Sequence, residues 1–290
     1  MCENDDLEYF ARRRPGLTRR GFSLGALGAG LAVAVPGVGR AAETRAREVD
    51  IGTADGTADA YFVHPAKGRH PAVLIWPDIF GLRPAFKDMA TRLAGAGYAV
   101  LVVNPFYRTH KAPTAPEHAD FNDPATRSAL LALLGTLSAD TAKVDAKAFV
   151  AFLDRQPEVD TKRGIGTTGY CMGGPLALRT AAAVPERIGA AATFHGGGLV
   201  TGKPDSPHLL IPEMKAQFLI AIAASDDAKE PEAKDVLRQA FAQAGLSAEI
   251  EVYAGTQHGW CPTDAAVYDH DQAEKAWGRM LALFRRSIAA

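Results

Sequence analysis

Cysteine is scarce in this 290-residue chain: there are three, at positions 2, 171 and 261, and no two stand as Cys-x-x-Cys. The thioredoxin-type redox motif is therefore absent, and one conceivable bridge between Cys171 and Cys261 is rarely a folding requirement in a domain of this size. Excess charge of either sign is missing as well. With 32 Lys and Arg against 33 Asp and Glu, the formal net charge is −1, which does not supply the cationic field that nucleic-acid binding needs. A small neutral or anionic ligand fits better. Internal repeats are lacking too, and there is no low-complexity tract after the first forty residues. What remains, 47% hydrophobic and 22% charged, is ordinary for a globular enzyme with a large core, and one domain is the simplest organisation at this length.

The N-terminus reads as an address. Arg12, Arg13 and Arg14 precede Thr18-Arg19-Arg20-Gly21-Phe22-Ser23, a twin-arginine signature, and a charge-free stretch then runs to Gly39. That stretch is rich in Gly and Ala and broken by Pro36, too weakly apolar for a stable membrane span yet suited to a signal sequence. The expectation is a signal peptide over residues 1–41, cleaved near Ala41, recognised by the twin-arginine export machinery, with residues 42–290 folded in a bacterial periplasm or outside the cell. Removing six arginines and four acids leaves that domain near −3.

Past residue 45 the pattern is legible. Residues 46–63 predict a hairpin turning at Asp55-Gly56. Short apolar runs at Ala72–Trp76, Ala99–Val103, Gly164–Thr168, Ala190–Phe194, Phe218–Ala223 and Ile250–Tyr253 predict strands buried on both faces. Between them, Pro84–Leu93, Thr141–Asp154, Pro175–Ala183, Glu232–Ala244 and Gln272–Ile288 predict helices, the second carrying Val144, Ala148, Ala151 and Phe152 at helical steps. Such alternation implies an α/β fold with a mostly parallel central sheet and helices on both faces. Residues 105–136 interrupt it with Pro113, Pro116 and Pro124 before a leucine-rich helix at Ala129–Leu137, and predict a lid over the carboxyl edge of the sheet.

Chemistry concentrates at that edge. Gly169-Tyr170-Cys171-Met172-Gly173-Gly174 follows an apolar strand and opens a helix, the setting of a nucleophile elbow with cysteine as nucleophile. The turn is so tight that the residues two before and two after Cys171 must be glycine. The helix N-terminus favours thiolate, and the amide of Met172 points where an oxyanion would form. A base should follow in the chain, and His258, on the loop after the strand ending at Tyr253, fits best. His64, His70, His110, His118, His208 and His270 sit in polar, surface-like contexts. His195, in Phe194-His195-Gly196-Gly197-Gly198, ends a strand at the same edge and reads as pocket-lining. The acid should end the strand between; Asp226 is the choice, with Asp227 one residue away as the alternative.

These motifs resemble the dienelactone hydrolase family of α/β-hydrolases over roughly Val49 to the C-terminus. The family's Gly-Tyr-Cys-x-Gly-Gly elbow matches residues 169–174, its strand-end acid with a following Pro-Glu-Ala start matches Asp226–Ala233, and its Tyr-x-Gly-x-x-His segment matches Tyr253–His258. The family's Glu-Ile-Phe-Gly turn is here Asp78-Ile79-Phe80-Gly81. The resemblance implies the α/β-hydrolase fold, hydrolysis of an ester or lactone, no cofactor and no metal, and an oxyanion hole formed by the amides of Ile79 and Met172. In the family the glutamate of that turn partners the resting thiol; Asp78 is one methylene shorter, and the expectation is that it either reaches differently or serves only as a hydrogen-bond partner. Asn104-Pro105-Phe106-Tyr107-Arg108 is similar to a segment whose tyrosine and arginine bind a substrate carboxylate, with the register left open because Arg108 directly follows Tyr107. Trp260, beside the base, is placed by the same likeness among the substrate-binding residues. Two rival expectations stand beside this one: a thiol redox protein using Cys171 and Cys261, and a binding protein of the same fold without catalysis.

Overall fold

The computed structural model describes residues 42–289. Its centre is one eight-stranded sheet in the order β1-β2-β4-β3-β5-β6-β7-β8, with strands at Thr44–Thr53, Gly56–Pro65, Ala72–Trp76, Ala99–Val103, Ile165–Tyr170, Ile188–Phe194, Gln217–Ala223 and Ala248–Tyr253 numbered β1 to β8. β1 and β2 form the expected hairpin, closed by Gly56 at a φ of 141° that a side chain would resist. β2 joins β4 antiparallel, and every later pairing is parallel. β3 and β4 are buried along their whole length, as continuous apolar strands between two helical layers should be. β8, at the edge, is half-exposed, and its Glu249 and Glu251 pair with Arg279 and Lys275.

Helices α1 (Pro84–Gly95), α2 (Pro124–Leu134), α3 (Ala139–Asp154), α4 (Gly173–Ala183), α5 (Ala224–Lys229), α6 (Ala233–Gln243) and α7 (His270–Phe284) cover the sheet. Phe149, Leu153, Leu176, Leu178, Leu237 and Phe241 bring α3, α4 and α6 onto one face. Phe86, Leu93, Met280, Leu283 and Phe284 bring α1 and α7 onto the other. α3 starts two residues before its expected position because Ser138 and Thr141 make a reciprocal capping box.

Four local features differ from expectation. The lid helix runs over Pro124–Leu134 rather than Ala129–Leu137. Pro124 sits in the first turn, where a missing N–H costs nothing, and Asp123 caps it by accepting from the Thr126 amide. A 3-10 turn at Pro207–Glu213 and the six-residue α5 were not foreseen, since neither is long enough to show a period. His64, expected at the surface, is 5% exposed, with its Nδ1 2.8 Å from the Pro65 carbonyl. Residues 1–41, where the twin-arginine signature lies, fall outside the described residues. No helix among the described residues is long and apolar enough to cross a membrane.

The topology selects a place for a site. From β3 the chain crosses to β4 on one side and later returns through β5 on the other, so the carboxyl ends of β3 and β5 flank the point where strand order reverses. The turn at Asp78–Gly81 leaves β3, and Cys171 leaves β5, at that point.

Candidate active site

Cys171 lies between β5 and α4 with φ at +54°, a left-handed conformation costly for a residue with a side chain. The surroundings enforce it. A Cβ at Gly169 would lie 1.8 Å from the Gly173 carbonyl oxygen, and one at Gly173 would lie 2.3 Å from that of Trp76, so only glycine permits the turn. The Cys171 amide donates to Phe194 O at 3.0 Å, which fixes the start of α4 against the end of β6.

His258 reaches the same edge from the loop after β8. Gly255 and Gly259 flank it at φ of 75° and 94°. Thr256, 1% exposed, laces the loop down: its hydroxyl donates to Tyr253 O at 2.7 Å and accepts the Ala224 amide at 3.1 Å. The His258 amide donates to Ser225 Oγ at 2.9 Å. The imidazole then bridges two elements, with Nδ1 2.8 Å from Asp226 Oδ2 and Nε2 3.0 Å from Cys171 Sγ. Asp227 faces elsewhere and accepts from Lys234 Nζ at 2.7 Å. Both aspartates stand in the first turn of α5, and the helical turn separates neighbouring side chains, so one meets the histidine and the other does not. Burial by itself would lower the pKa of His258, but the hydrogen bonds and charges of Asp226 and Cys171 outweigh it and push the imidazole up to about 10.

The turn after β3 closes the site from the other side. Ile79 and Met172 pack together beside Cys171, and neither of their amides donates a hydrogen bond among the described residues. Asp78 is 6% exposed and grips Arg83, with contacts of 2.7 Å from Nη1 and 2.9 Å from Nη2, while accepting the Phe80 amide at 3.0 Å. Its carboxylate is thus committed to a guanidinium rather than to the thiol; burial still pushes its pKa up despite that partner. Arg83 also donates to Asp264 at 2.7 and 3.0 Å. One guanidinium therefore ties the Ile79 turn to the loop that follows His258.

Other expected residues take different places. Trp260 is fully buried and stacks on Tyr253 with ring centroids 4.7 Å apart, so it anchors the histidine loop from beneath instead of facing a substrate. His195 is 1% exposed, lies under His258 with centroids 5.1 Å apart, and holds neither ring nitrogen in a hydrogen bond. Burial, then the charge of His258, lower its pKa well below the usual range and keep it neutral. Tyr107 and Arg108 turn away from the role of carboxylate receptors: Tyr107 donates to Asp145 at 2.7 Å, and Arg108 binds both Asp145 oxygens and Asp55. Asp145 is 1% exposed and needs those donors, since a buried carboxylate without them is strongly unfavourable. Cys171 and Cys261 are free thiols in separate apolar clusters, Cys261 buried with its pKa raised by burial. No cluster of His, Cys, Asp or Glu among the described residues is arranged to hold a metal ion.

Comparison with known proteins bears on this constellation. The family model described as the dienelactone hydrolase family matches residues 58–288, from β2 through the end of the chain's last helical turn. The chain belongs to the dienelactone hydrolase family. A carboxymethylenebutenolidase of Rhodococcus opacus is 28% identical over 244 residues, covering 80% of this chain and 88% of that protein. Among solved structures, a dienelactone hydrolase-like promiscuous phosphotriesterase from metagenomic libraries superposes with a TM-score of 0.70 at 23% identity, covering 84% of this chain and 99% of that one. A dienelactone hydrolase of Anabaena variabilis gives 0.60 at 17% identity over 84% and 99%. At these identities the solved structures establish the shared fold. Membership of the dienelactone hydrolase family makes the chain an enzyme that hydrolyses an ester or lactone.

Sequence reading had not singled out Thr256, Ser225, Arg83 or Asp264. Thr256 and Ser225 act through backbone contacts that no side-chain motif encodes, and Arg83 and Asp264 are 181 residues apart in the chain.

Proposed function

We propose that Cys171, His258 and Asp226 form a catalytic triad that cleaves an ester or lactone through a thioester on Cys171. The observation that carries this reading is the unbroken line from Asp226 Oδ2 to His258 to Cys171 Sγ, at 2.8 and 3.0 Å. Asp226 holds the imidazole with Nδ1–H toward it and supports the positive charge that the ring carries beside a thiolate. The thiolate attacks the substrate carbonyl carbon, and the electron pair displaced onto oxygen faces the amides of Ile79 and Met172. When the tetrahedral adduct collapses, the C–O bond to the leaving oxygen breaks, and the proton on His258 Nε2 passes to that oxygen. His258, now neutral, takes a proton from water, whose oxygen attacks the thioester; the carboxylic acid leaves and the thiolate returns. Esters and lactones suit this cycle better than amides, because thiolate departs from an adduct more readily than an amine does.

The redox reading has less behind it, since the two thiols are free and packed into different clusters. Replacing Cys171 by Ala or Ser is expected to cut hydrolysis of 4-nitrophenyl butyrate by about a thousandfold or more, with thermal unfolding unchanged. Turnover at the wild-type rate in either variant would refute the triad. We propose further, on residues 12–40 alone, that the enzyme is exported folded by the twin-arginine route; activity confined to the cytoplasmic fraction of expressing cells, and unmoved by Arg19→Lys and Arg20→Lys together, would contradict that.

A further inference from the structure

We propose that the substrate is a neutral ester or lactone with a hydrocarbon acyl part, and that the half-buried Phe80, Ala115, Leu134 and Leu137, packed with Cys171 on one apolar cluster, form the wall that selects it. The assignment rests on the cysteine-based reading above and adds what kind of molecule the site accepts.

The first observation is what surrounds the sulfur. Cys171 packs against a cluster distinct from the two faces of the core, made of Ile79, Phe106, Leu130, Leu133 and Met172 with Phe80, Ala115, Leu134 and Leu137 around them. Four of these are leucines from α2 and the turn just after it, the segment laid over the carboxyl edge of the sheet, and two are aromatic rings from the turns after β3 and β4. An acyl chain on the sulfur would thus lie on hydrocarbon, and each methylene removed from water there strengthens binding.

The second observation is independent and concerns charge. The two arginines nearest along the chain to the aromatic rings of this cluster, Arg83 after Phe80 and Arg108 after Phe106, are each held by two carboxylates. Arg108 donates from Nε, Nη1 and Nη2 to Asp55 and Asp145; Arg83 donates from the same three nitrogens to Asp78 and Asp264. Turning either toward a substrate carboxylate would strip the buried Asp145 or Asp78, 1% and 6% exposed, of its counter-charge. Relatives named for a carboxymethylene substrate and this chain differ, on this view, in the charge of what they take.

The test compares 4-nitrophenyl hexanoate with mono-4-nitrophenyl adipate, the same six-carbon acyl chain without and with a terminal carboxylate. For the intact enzyme, kcat/KM is expected to favour the neutral ester by about tenfold or more, because the carboxylate finds no counter-charge on an apolar wall. From acetate to butanoate to hexanoate it should rise roughly threefold per methylene. Leu134→Lys, at a half-buried position that tolerates a long side chain, should shrink the neutral preference at least about fivefold at unchanged thermal stability. An equal or greater rate with the adipate, or a preference untouched by Leu134→Lys, overturns the substrate assignment and leaves the triad standing. No turnover of either ester, or turnover that survives Cys171→Ala, overturns the triad and the assignment with it.

Discussion

Gly173→Ala isolates the contact on which the site's geometry depends. A Cβ at this position would lie 2.3 Å from the Trp76 carbonyl oxygen, 2.9 Å from its carbon and 2.7 Å from the Pro77 oxygen. All three are backbone atoms at the end of β3, a fully buried strand paired on both sides by β4 and β5, so no side chain can swing aside to make room. Restoring an ordinary separation of about 3.4 Å requires the first turn of α4 to retreat from β3 by about 1 Å. Overpacking of this kind costs about 1–3 kcal/mol, which for a domain of this size lowers Tm by roughly 2–4 °C per kcal/mol. The larger effect falls on the reaction, because the same turn carries Cys171 and the Met172 amide while β3 leads into the Ile79 turn. An opening of about 1 Å between them should lower kcat about a hundredfold. Steady-state hydrolysis of 4-nitrophenyl butyrate and thermal unfolding read the two effects separately. Gly52→Ala is the control, since nothing lies within 4 Å of a Cβ there, and its kcat should match the wild type. Gly173→Ala with a kcat within about twofold of the wild type would refute the claim that elbow and oxyanion turn are held in register by this contact.

Three further outcomes follow from other contacts. Asp226→Asn should lower kcat by about a hundredfold to ten-thousandfold, whereas Asp227→Asn, which loses a partly exposed pair with Lys234, should cost under about 1 kcal/mol of stability and leave kcat intact; the reverse ranking would reassign the acid. Arg83→Gln should destabilise by about 3 kcal/mol by stranding buried Asp78. Asp78→Asn combined with Arg83→Gln should recover most of the stability but not kcat, because the Ile79 turn and the Asp264 loop stay unclamped, and full recovery of kcat would show that Arg83 has no positioning role. His195 concerns pH. Its pKa in the fold is depressed below the ordinary 6.5, so the unfolded chain gains a proton there that the folded chain refuses, and stability falls as pH drops below that value while nothing is lost above it. His195→Phe should flatten this acid limb, gaining up to roughly 2 kcal/mol on the wild type between pH 6.5 and 5; denaturant melts showing a pH-independent difference would contradict the buried, neutral state.

Much of the architecture was legible in the chain because it follows from local rules. Continuous apolar runs at 72–76 and 99–103 can only be strands shielded on both faces, the Asp55-Gly56 pair closes a hairpin, and the spacing of Gly169, Cys171 and Gly173 specifies a turn that no other residues permit. α5 was not legible, as six residues hold no period, and Pro124 misled because proline stops a helix from within yet starts one from its first turn.

Which partner each polar side chain takes was beyond the sequence. Asp226 and Asp227 are chemically identical, and only the direction of one helical turn gives His258 to the first and Lys234 to the second. Tyr107 and Arg108 carry the right groups to greet a carboxylate, yet α3 brings Asp145 to them first, and Asp78 meets Arg83. The pattern of apolar and glycine residues dictates the sheet and its sharp turn because burial and backbone sterics act on near neighbours. Charge pairing is settled only when distant segments meet, since a buried ion takes the nearest counter-ion that the completed fold presents, and neither spacing nor motif records which one that will be.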